Sequence, residues 1–311
     1  MAHKLTNFDL LAVSTLIYAI HRTQLNRRDL TVGLLASEVL DEITRGALPK
    51  SPAGTSKKEW TDLIDYIHGS PTLATFRLKR LKFHKGLLVF TLVDNPILPK
   101  DVYIVFRGTA TRADWDDNAI ASYTALSPLQ RAAIRYVNTT PLRYGNHIVA
   151  TGHSKGGSHA QLVAIMNRRV TKAVCFNSGG FSPEFISKYR YRINKYSHRI
   201  TIIAAASDIV HALLTQLKGA KVIFIDSPST RNFVNNHRPT AMMDFEHQKL
   251  YPEINRHKIS GNLVEQLSMR TASNLTLTQR KKLAHAMMDA FKLGRFDPLK
   301  YLPKRKKSTD S

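Results

Sequence analysis

The run Ile148-Val149-Ala150-Thr151-Gly152-His153-Ser154-Lys155-Gly156-Gly157 constrains this chain more than any other stretch. A short apolar segment rises into Gly-x-Ser-x-Gly, and the helix-compatible segment Ala160–Asn167 follows at once. A serine placed between strand and helix at that spacing is held on a strained turn, its hydroxyl pushed clear of its neighbours. A side chain at Gly152 or Gly156 would crowd the turn against the flanking strand and helix. The motif therefore asks for a fold that feeds strands into helices. Five residues of this kind also occur by chance, so the surroundings have to carry the argument.

They supply the expected alternation. From Leu87 the chain turns to short β-rich runs, Leu87–Val93, Val102–Phe106, His147–Thr151, Ala173–Asn177, Ile200–Ala206 and Lys221–Ile225. Helical patterns lie between several of them, at Pro128–Val137, Ser154–Asn167 and Ile209–Leu217. Strands alternating with helices imply a mostly parallel central sheet flanked by helices, an α/β fold. Residues 1–75 are expected to be a helical segment packed on that core, with Thr6 or Asn7 capping a helix through Ile20 and a second helix over Leu30–Ile43. Lys50–Ser56 is a loop by composition. The α/β core is placed at 76–260. Residues 261–311 are expected to form a C-terminal helix, Leu277–Leu293, ended by Gly294, and then a disordered basic tail through Lys304-Arg305-Lys306-Lys307. A chain of 311 residues with 43% hydrophobic content is long enough to bury one large core of this kind.

The single cysteine, Cys175, excludes an intramolecular disulfide and lies in an apolar run, which predicts a packed core thiol. The apolar stretch Leu10–Ile20 is too short to span a bilayer, and Ile20-His21-Arg22 follows where a signal peptide would carry a small-residue cleavage site. A cytoplasmic or membrane-peripheral protein is the resulting expectation. Forty-six Lys and Arg against 23 Asp and Glu give a formal net charge of +23. Such a field attracts anionic surfaces, phospholipid headgroups or nucleic acid. No helix-turn-helix, zinc-finger or aromatic-basic RNA signature accompanies it, which makes a peripheral contact with anionic membrane the preferred partner.

A serine hydroxyl is a poor nucleophile unless a base takes its proton during attack. That base is usually histidine, with a carboxylate fixing its tautomer. On a sheet of this type the order along the chain is Ser, then Asp or Glu, then His, each beyond the C-terminal end of a strand. Asp208 follows the strand Ile200–Ala206, and His237 lies on the polar loop beyond Lys221–Ile225. Asp226 also ends a strand and competes as the acid. His211, His247 (on an expected helix Ala241–Leu250) and His257 compete as the base, while His153 lies within the elbow and is placed to pack rather than to act. Order and placement prefer Asp208 and His237. The oxyanion of acyl transfer needs donors: the N–H of Lys155 just after the nucleophile, and a second from the loop at Gly108-Thr109 after Val102–Phe106.

Phe106-Arg107-Gly108-Thr109, then Asp114-Trp115 and Asp117, then Gly-His-Ser-Lys-Gly-Gly at 152–157, together resemble the class 3 (fungal-type) lipase group of the α/β-hydrolase fold. The likeness is closer still to an uncharacterised bacterial lipase-like branch, through Asn7-Phe8-Asp9, Phe176–Phe181, Ile209–Leu214 and Asn236-His237, and it covers roughly residues 7–245. It implies Ser154 as nucleophile, Thr109 and Lys155 as the oxyanion hole and His237 as base. Ser158 stands where that branch usually has asparagine, and the acid position matches loosely, so Asp208 rests on order and placement.

The resemblance also implies a lid after the oxyanion-hole residue, matching Thr111–Tyr123 here. That stretch is rich in aspartate, so a greasy interfacial lid is not evident, and a fixed helix with Trp115 packed into the core is the competing expectation. A serine ester hydrolase acting on lipid or other esters, of lipase or phospholipase type, is the function expected. A lipase-fold binding protein with a vestigial site, docked through its basic surface, is the alternative, and a peptidase or thioesterase would use the same residues. No metal spacing or phosphate-cradling loop is present, so no cofactor is expected.

Overall fold

Alternate residues of the run Leu87–Val93 face two different cores. Leu88, Phe90 and Leu92 point into one, while Leu87, Val89 and Val93 point into the other. A strand buried on both faces must lie inside a sheet covered by a layer on each side. The computed structural model, which describes residues 4–21, 30–47, 52–84, 86–141, 147–230, 232–255 and a few positions between 276 and 285, contains that sheet.

Its strands are β1 (Arg77–His84), β2 (Leu87–Val93), β3 (Asp101–Phe106), β4 (His147–His153), β5 (Lys172–Phe176), β6 (Ile200–Ala205) and β7 (Lys221–Ile225), in that spatial order. The run β3 to β7 is parallel throughout, and β1 and β2 extend it antiparallel on one side. Beyond β7 a hairpin of β8 (Met243–Asp244) and β9 (Lys249–Leu250) leads to β10 (Glu253–Ile254), which closes the other edge antiparallel to β7.

Because the parallel strands follow one another in order, right-handed crossovers place their helices on a single face. Helices α5 (Pro128–Thr139), α6 (Lys155–Met166) and α7 (Pro183–Tyr196) occupy that face and share a core with Ile104, Phe106, Ala150, Cys175 and Ile202. The opposite face would be bare without the N-terminal helices. Helices α1 (Asn7–Leu16), α2 (Val32–Thr44) and α3 (Lys57–Gly69) cover it, packing Leu11, Leu16, Leu35, Trp60 and Ile64 on Tyr103, Val105, Val149 and Phe176. A mostly parallel sheet with helices on both faces and a Gly-x-Ser-x-Gly turn leaving a central strand is an α/β-hydrolase fold. Cys175 is a buried core thiol.

Several local expectations change. The N-terminal helix is capped by Thr6 and ends at Leu16, with a single 3₁₀ turn over Ile17–Ala19. Ile209–Leu217 is a series of turns instead of a helix. The Asp208 carboxylate accepts the N–H groups of Val210 and His211, Leu214 adopts φ 64°, and Thr215 is drawn into a bridge with Phe181. Ala241–Leu250 is the β8–β9 hairpin and not a helix: a 3₁₀ turn starts at Pro239, and Gln248 takes a positive φ in the connection. The lid-equivalent stretch contains α4 (Arg112–Ala121), on which Trp115 is half-buried and outside the core. His257, the tail and most of the expected C-terminal helix lie outside the described residues, although positions 278, 279, 281, 282 and 285 are helical. Among the described residues no helix is long and apolar enough to cross a membrane.

Candidate active site

The turn from β4 into α6 is a close approach of three backbone segments. A Cβ on Gly152 would lie 2.5 Å from the carbonyl carbon of Gly156 and 2.6 Å from the carbonyl oxygen of Phe106. One on Gly156 would overlap the same Phe106 oxygen, so only hydrogen fits at either position. Between them Ser154 takes φ 57° and ψ −127°, a backbone state costing an L-residue about 1–3 kcal/mol. The surroundings impose it: Ser154 donates its N–H to Phe176 of β5 at 2.9 Å, and its carbonyl accepts from Ser158 in the first turn of α6.

The strained serine meets a histidine 83 residues further along the chain. His237 Nε2 lies 2.8 Å from Ser154 Oγ, and His237 Nδ1 lies 2.8 Å from Asp208 Oδ1. Asp208 follows β6 and its side chain is 0% exposed, with the Val210 and His211 N–H groups satisfying its oxygens. The carboxylate acceptor requires the proton on Nδ1, which leaves Nε2 to accept from the serine hydroxyl. His237 itself is carried by the turn after α8 (Phe233–Asn236). That turn is tied back on one side by Asn236, whose side chain accepts the Thr230 N–H at 2.7 Å, and on the other by the Arg238–Glu59 ion pair at 3.0 Å.

The rival residues fall elsewhere. Asp226 is exposed at the end of β7, where its N–H donates to Pro252. His211 gives its backbone N–H to Asp208 and turns its ring edge-on to Phe224. His247 is exposed and pairs with Asp244 at 2.9 Å.

His153 packs, and it also holds something. Its Nε2 donates to the His237 carbonyl at 2.7 Å, its Nδ1 then accepts from the Tyr18 hydroxyl at 3.2 Å, and its ring lies 4.8 Å from that of His237. Burial, and then the neighbouring His237, hold its pKa well below the ordinary histidine range, so it remains neutral. Tyr18, from the 3₁₀ turn after α1, thus connects the N-terminal layer to the site. Nothing in the sequence around Tyr18 signals this contact.

Thr109 follows β3, and its Oγ1 accepts from Asn118 Nδ2 of α4 at 2.9 Å. Lys155 begins α6 directly after Ser154, while its side chain runs into the protein. Lys155 Nζ meets Asp117 Oδ2 at 2.9 Å and the Asp114 carbonyl at 2.8 Å, both on α4. Burial pulls the ammonium below the usual lysine range, with Asp117 pulling the other way. Asp117 also accepts from Ser127 Oγ and the Leu129 N–H. Asp114 caps α4 with Thr111 and pairs with buried Arg107 at 3.3 Å. Helix α4 is therefore fastened by buried charges to the residues before and after the site. Acids at i and i+3 were the available signal, since that spacing puts Asp114 and Asp117 on one helical face. Among the described residues no group of side chains is arranged to hold a metal ion.

The family model described as Mbeg1-like matches residues 85–289. Among curated proteins, none matches the chain. Of solved structures, the Rhizomucor miehei lipase propeptide complex is 15% identical with a TM-score of 0.35, over 70% of this chain and 82% of that one. Lipase II from Rhizopus niveus is 14% identical with a TM-score of 0.39, over 74% and 98%. A triacylglycerol lipase from Penicillium expansum is 12% identical with a TM-score of 0.35, over 59% and 82%. Similarity of this degree carries no residue assignments.

Proposed function

The chain belongs to the Mbeg1-like family, and from that premise and the Ser154–His237–Asp208 relay we propose that it is a lipase-type serine hydrolase of carboxylic esters. The unbroken contact from Ser154 Oγ through both ring nitrogens of His237 to buried Asp208, 2.8 Å at each step, carries the reading. As Oγ attacks the ester carbonyl, His237 takes its proton, and Asp208 stabilises the imidazolium without itself being protonated. The carbonyl oxygen becomes an oxyanion that accepts from the N–H of Lys155 and from the N–H and hydroxyl of Thr109. His237 then protonates the departing alkoxide. Water enters, gives its proton to the same nitrogen and attacks the acyl-serine, which releases the acid and regenerates Oγ–H. The substrates are acyl esters of the lipid class, with phospholipid and lysophospholipid as the members to try first.

A fluorophosphonate probe, which phosphonylates only an activated serine, tests this directly. The wild-type chain should label and should hydrolyse short-chain p-nitrophenyl esters. Ser154→Ala should do neither, with turnover reduced about 10⁴-fold or more while the melting curve is preserved. Asp208→Asn should cost about 10⁴-fold in kcat, and Asp226→Asn should change turnover by less than about twofold. A wild-type chain that neither labels nor turns over any ester would leave the site vestigial and the proposal overturned.

A further inference from the structure

About a third of the charge excess, +8 of +23, lies between Met166 and Ile225 and gathers at one end of the sheet. Between Met166 and Ile225 the chain carries ten Lys and Arg against two acids, Glu184 and Asp208. Glu184 opens α7 and Asp208 follows β6, so both lie toward the C-terminal ends of the parallel strands, where Ser154 is. The basic residues gather at the other end. Lys172 is the first residue of β5 and Lys221 the first of β7, each exposed, and Lys218 precedes β7 on the same rim. Helix α7 runs back from the site toward this rim. Its exposed Arg192 bonds the Met166 carbonyl at the far end of α6, and Lys195 is exposed one turn on. Tyr191, 75% exposed, stands among these cations with Lys195 over its ring. The acids described at the start of the central strands are Asp94, which is exposed, and Asp101, which is buried beside His147.

The same end carries an apolar tip. The β2–β3 connection exposes Ile97 at 78% and Leu98 at 64%, between Pro96 and Pro99. The loop is not slack. Asn95 Oδ1 accepts the N–H groups of both Ile97 and Leu98, Asp94 Oδ1 accepts those of Asn95, Lys100 and Asp101, and Lys79 bonds the Pro96 carbonyl. Two large apolar side chains are thus held out into water by a backbone organised to hold them there. With strands about 4.8 Å apart, this tip lies within roughly 25 Å of the lysine rim.

We propose that the N-terminal edge of the sheet is a docking face for anionic phospholipid membrane. Ile97 and Leu98 enter the boundary between headgroups and acyl chains, and the rim cations meet the headgroup phosphates. An apolar tip beside a basic rim matches a bilayer better than nucleic acid, which offers no apolar layer to receive two aliphatic side chains. Six residues of β3 separate this face from the Gly108–Thr109 loop, so Ser154 lies about 20 Å away, at the opposite end of the sheet. A docked molecule would therefore take its ester from solution or from an opposing surface, and not from the bilayer that carries it.

Co-sedimentation of the full chain with phosphatidylserine-containing vesicles, against pure phosphatidylcholine, tests the proposal. Binding to the anionic vesicles should fall about a hundredfold in Lys172→Glu/Lys195→Glu/Lys221→Glu, at about fivefold or more per residue. It should fall at least tenfold in Ile97→Asp/Leu98→Asp, and both variants should keep the wild-type melting midpoint. Turnover of a water-soluble ester should be the same for bound and free enzyme. Vesicle binding unchanged in both variants overturns the assignment of this face, and loss of soluble-ester turnover on docking overturns the orientation. Salt-steep binding to duplex DNA without vesicle binding overturns it in favour of nucleic acid. The binding measurements need no catalysis, so failure of the ester-hydrolase reading would show separately.

Discussion

At the C-terminal end of the strands Lys155 is buried, with its ammonium shared between Asp117 and the Asp114 carbonyl, whereas at the N-terminal end Lys172 and Lys221 extend into solvent. The same chemical group serves opposite purposes in the two places. A buried charge costs several kcal/mol of lost hydration unless its partners are in place, so it dictates where those partners must be. Through it α4, which bears Asn118, is registered on α6, the helix that Ser154 opens. An exposed charge dictates no geometry and contributes only to the field around the molecule.

The largest expected break in this comparison comes from Lys155→Met. It strands the Asp117 carboxylate in the interior and should cost about 3–5 kcal/mol in urea unfolding, while Lys155→Met/Asp117→Leu should recover a substantial part of that loss. A single variant as stable as wild type would show that the pair fixes nothing. A smaller effect is tied to acid. His159, on α6 a turn beyond Lys155, is pushed down to about 3 by burial and then by the Lys155 charge. Below the ordinary histidine range the unfolded chain binds a proton that the native one refuses, so stability falls as pH drops from about 6.5 toward 3, by at most ~1.4 kcal/mol per pH unit for each such histidine. Buried His153 adds in the same direction. His159→Leu should remove one proton's share of the slope, read from urea midpoints between about pH 4 and 7. An unchanged slope would place the titration elsewhere. Smallest of all, Lys221→Glu should alter stability by no more than about 0.5 kcal/mol, in contrast to its effect on vesicle binding.

The two ends also differ in how much of them can be foreseen from sequence. Strands β2 to β6 are apolar runs because they are largely buried, and the motif at Gly152–Gly156 anchors the turn between β4 and α6. Ser154, Asp208 and His237 occur in the order that such a sheet brings together. By contrast β1, Arg-Leu-Lys-Arg-Leu-Lys-Phe-His, is an edge strand whose cations interrupt the apolar signal, and α7 is masked by Lys and Arg in the same way. The turns of Ile209–Leu217 have helical apolar spacing, yet the Asp208 carboxylate captures the N–H groups that a helix would need to begin. Tyr18 meets His153 across 135 positions, and Asp117 meets Lys155 across the gap between two helices. Contacts of that kind belong to the tertiary arrangement and leave no local periodicity to detect.

The packing of Phe106 against Gly152 and Gly156 has a practical corollary for anyone who wants to rebuild this protein. Those three residues touch through backbone alone, so β3 and the Ser154 turn share one reference point that no side-chain repacking can shift. The segment after β6, which delivers Asp208, has a fixture of the same kind, since a Cβ on Gly180 would overlap the Thr215 carbonyl, whereas the turn that delivers His237 is held by side-chain bonds from Asn236 and Arg238 that a redesign could reproduce. Exchange of the segment after β7 is therefore the freer route for redesign, whereas a graft whose junction falls at Phe106, Gly152 or Gly156 would take Ser154 out of alignment.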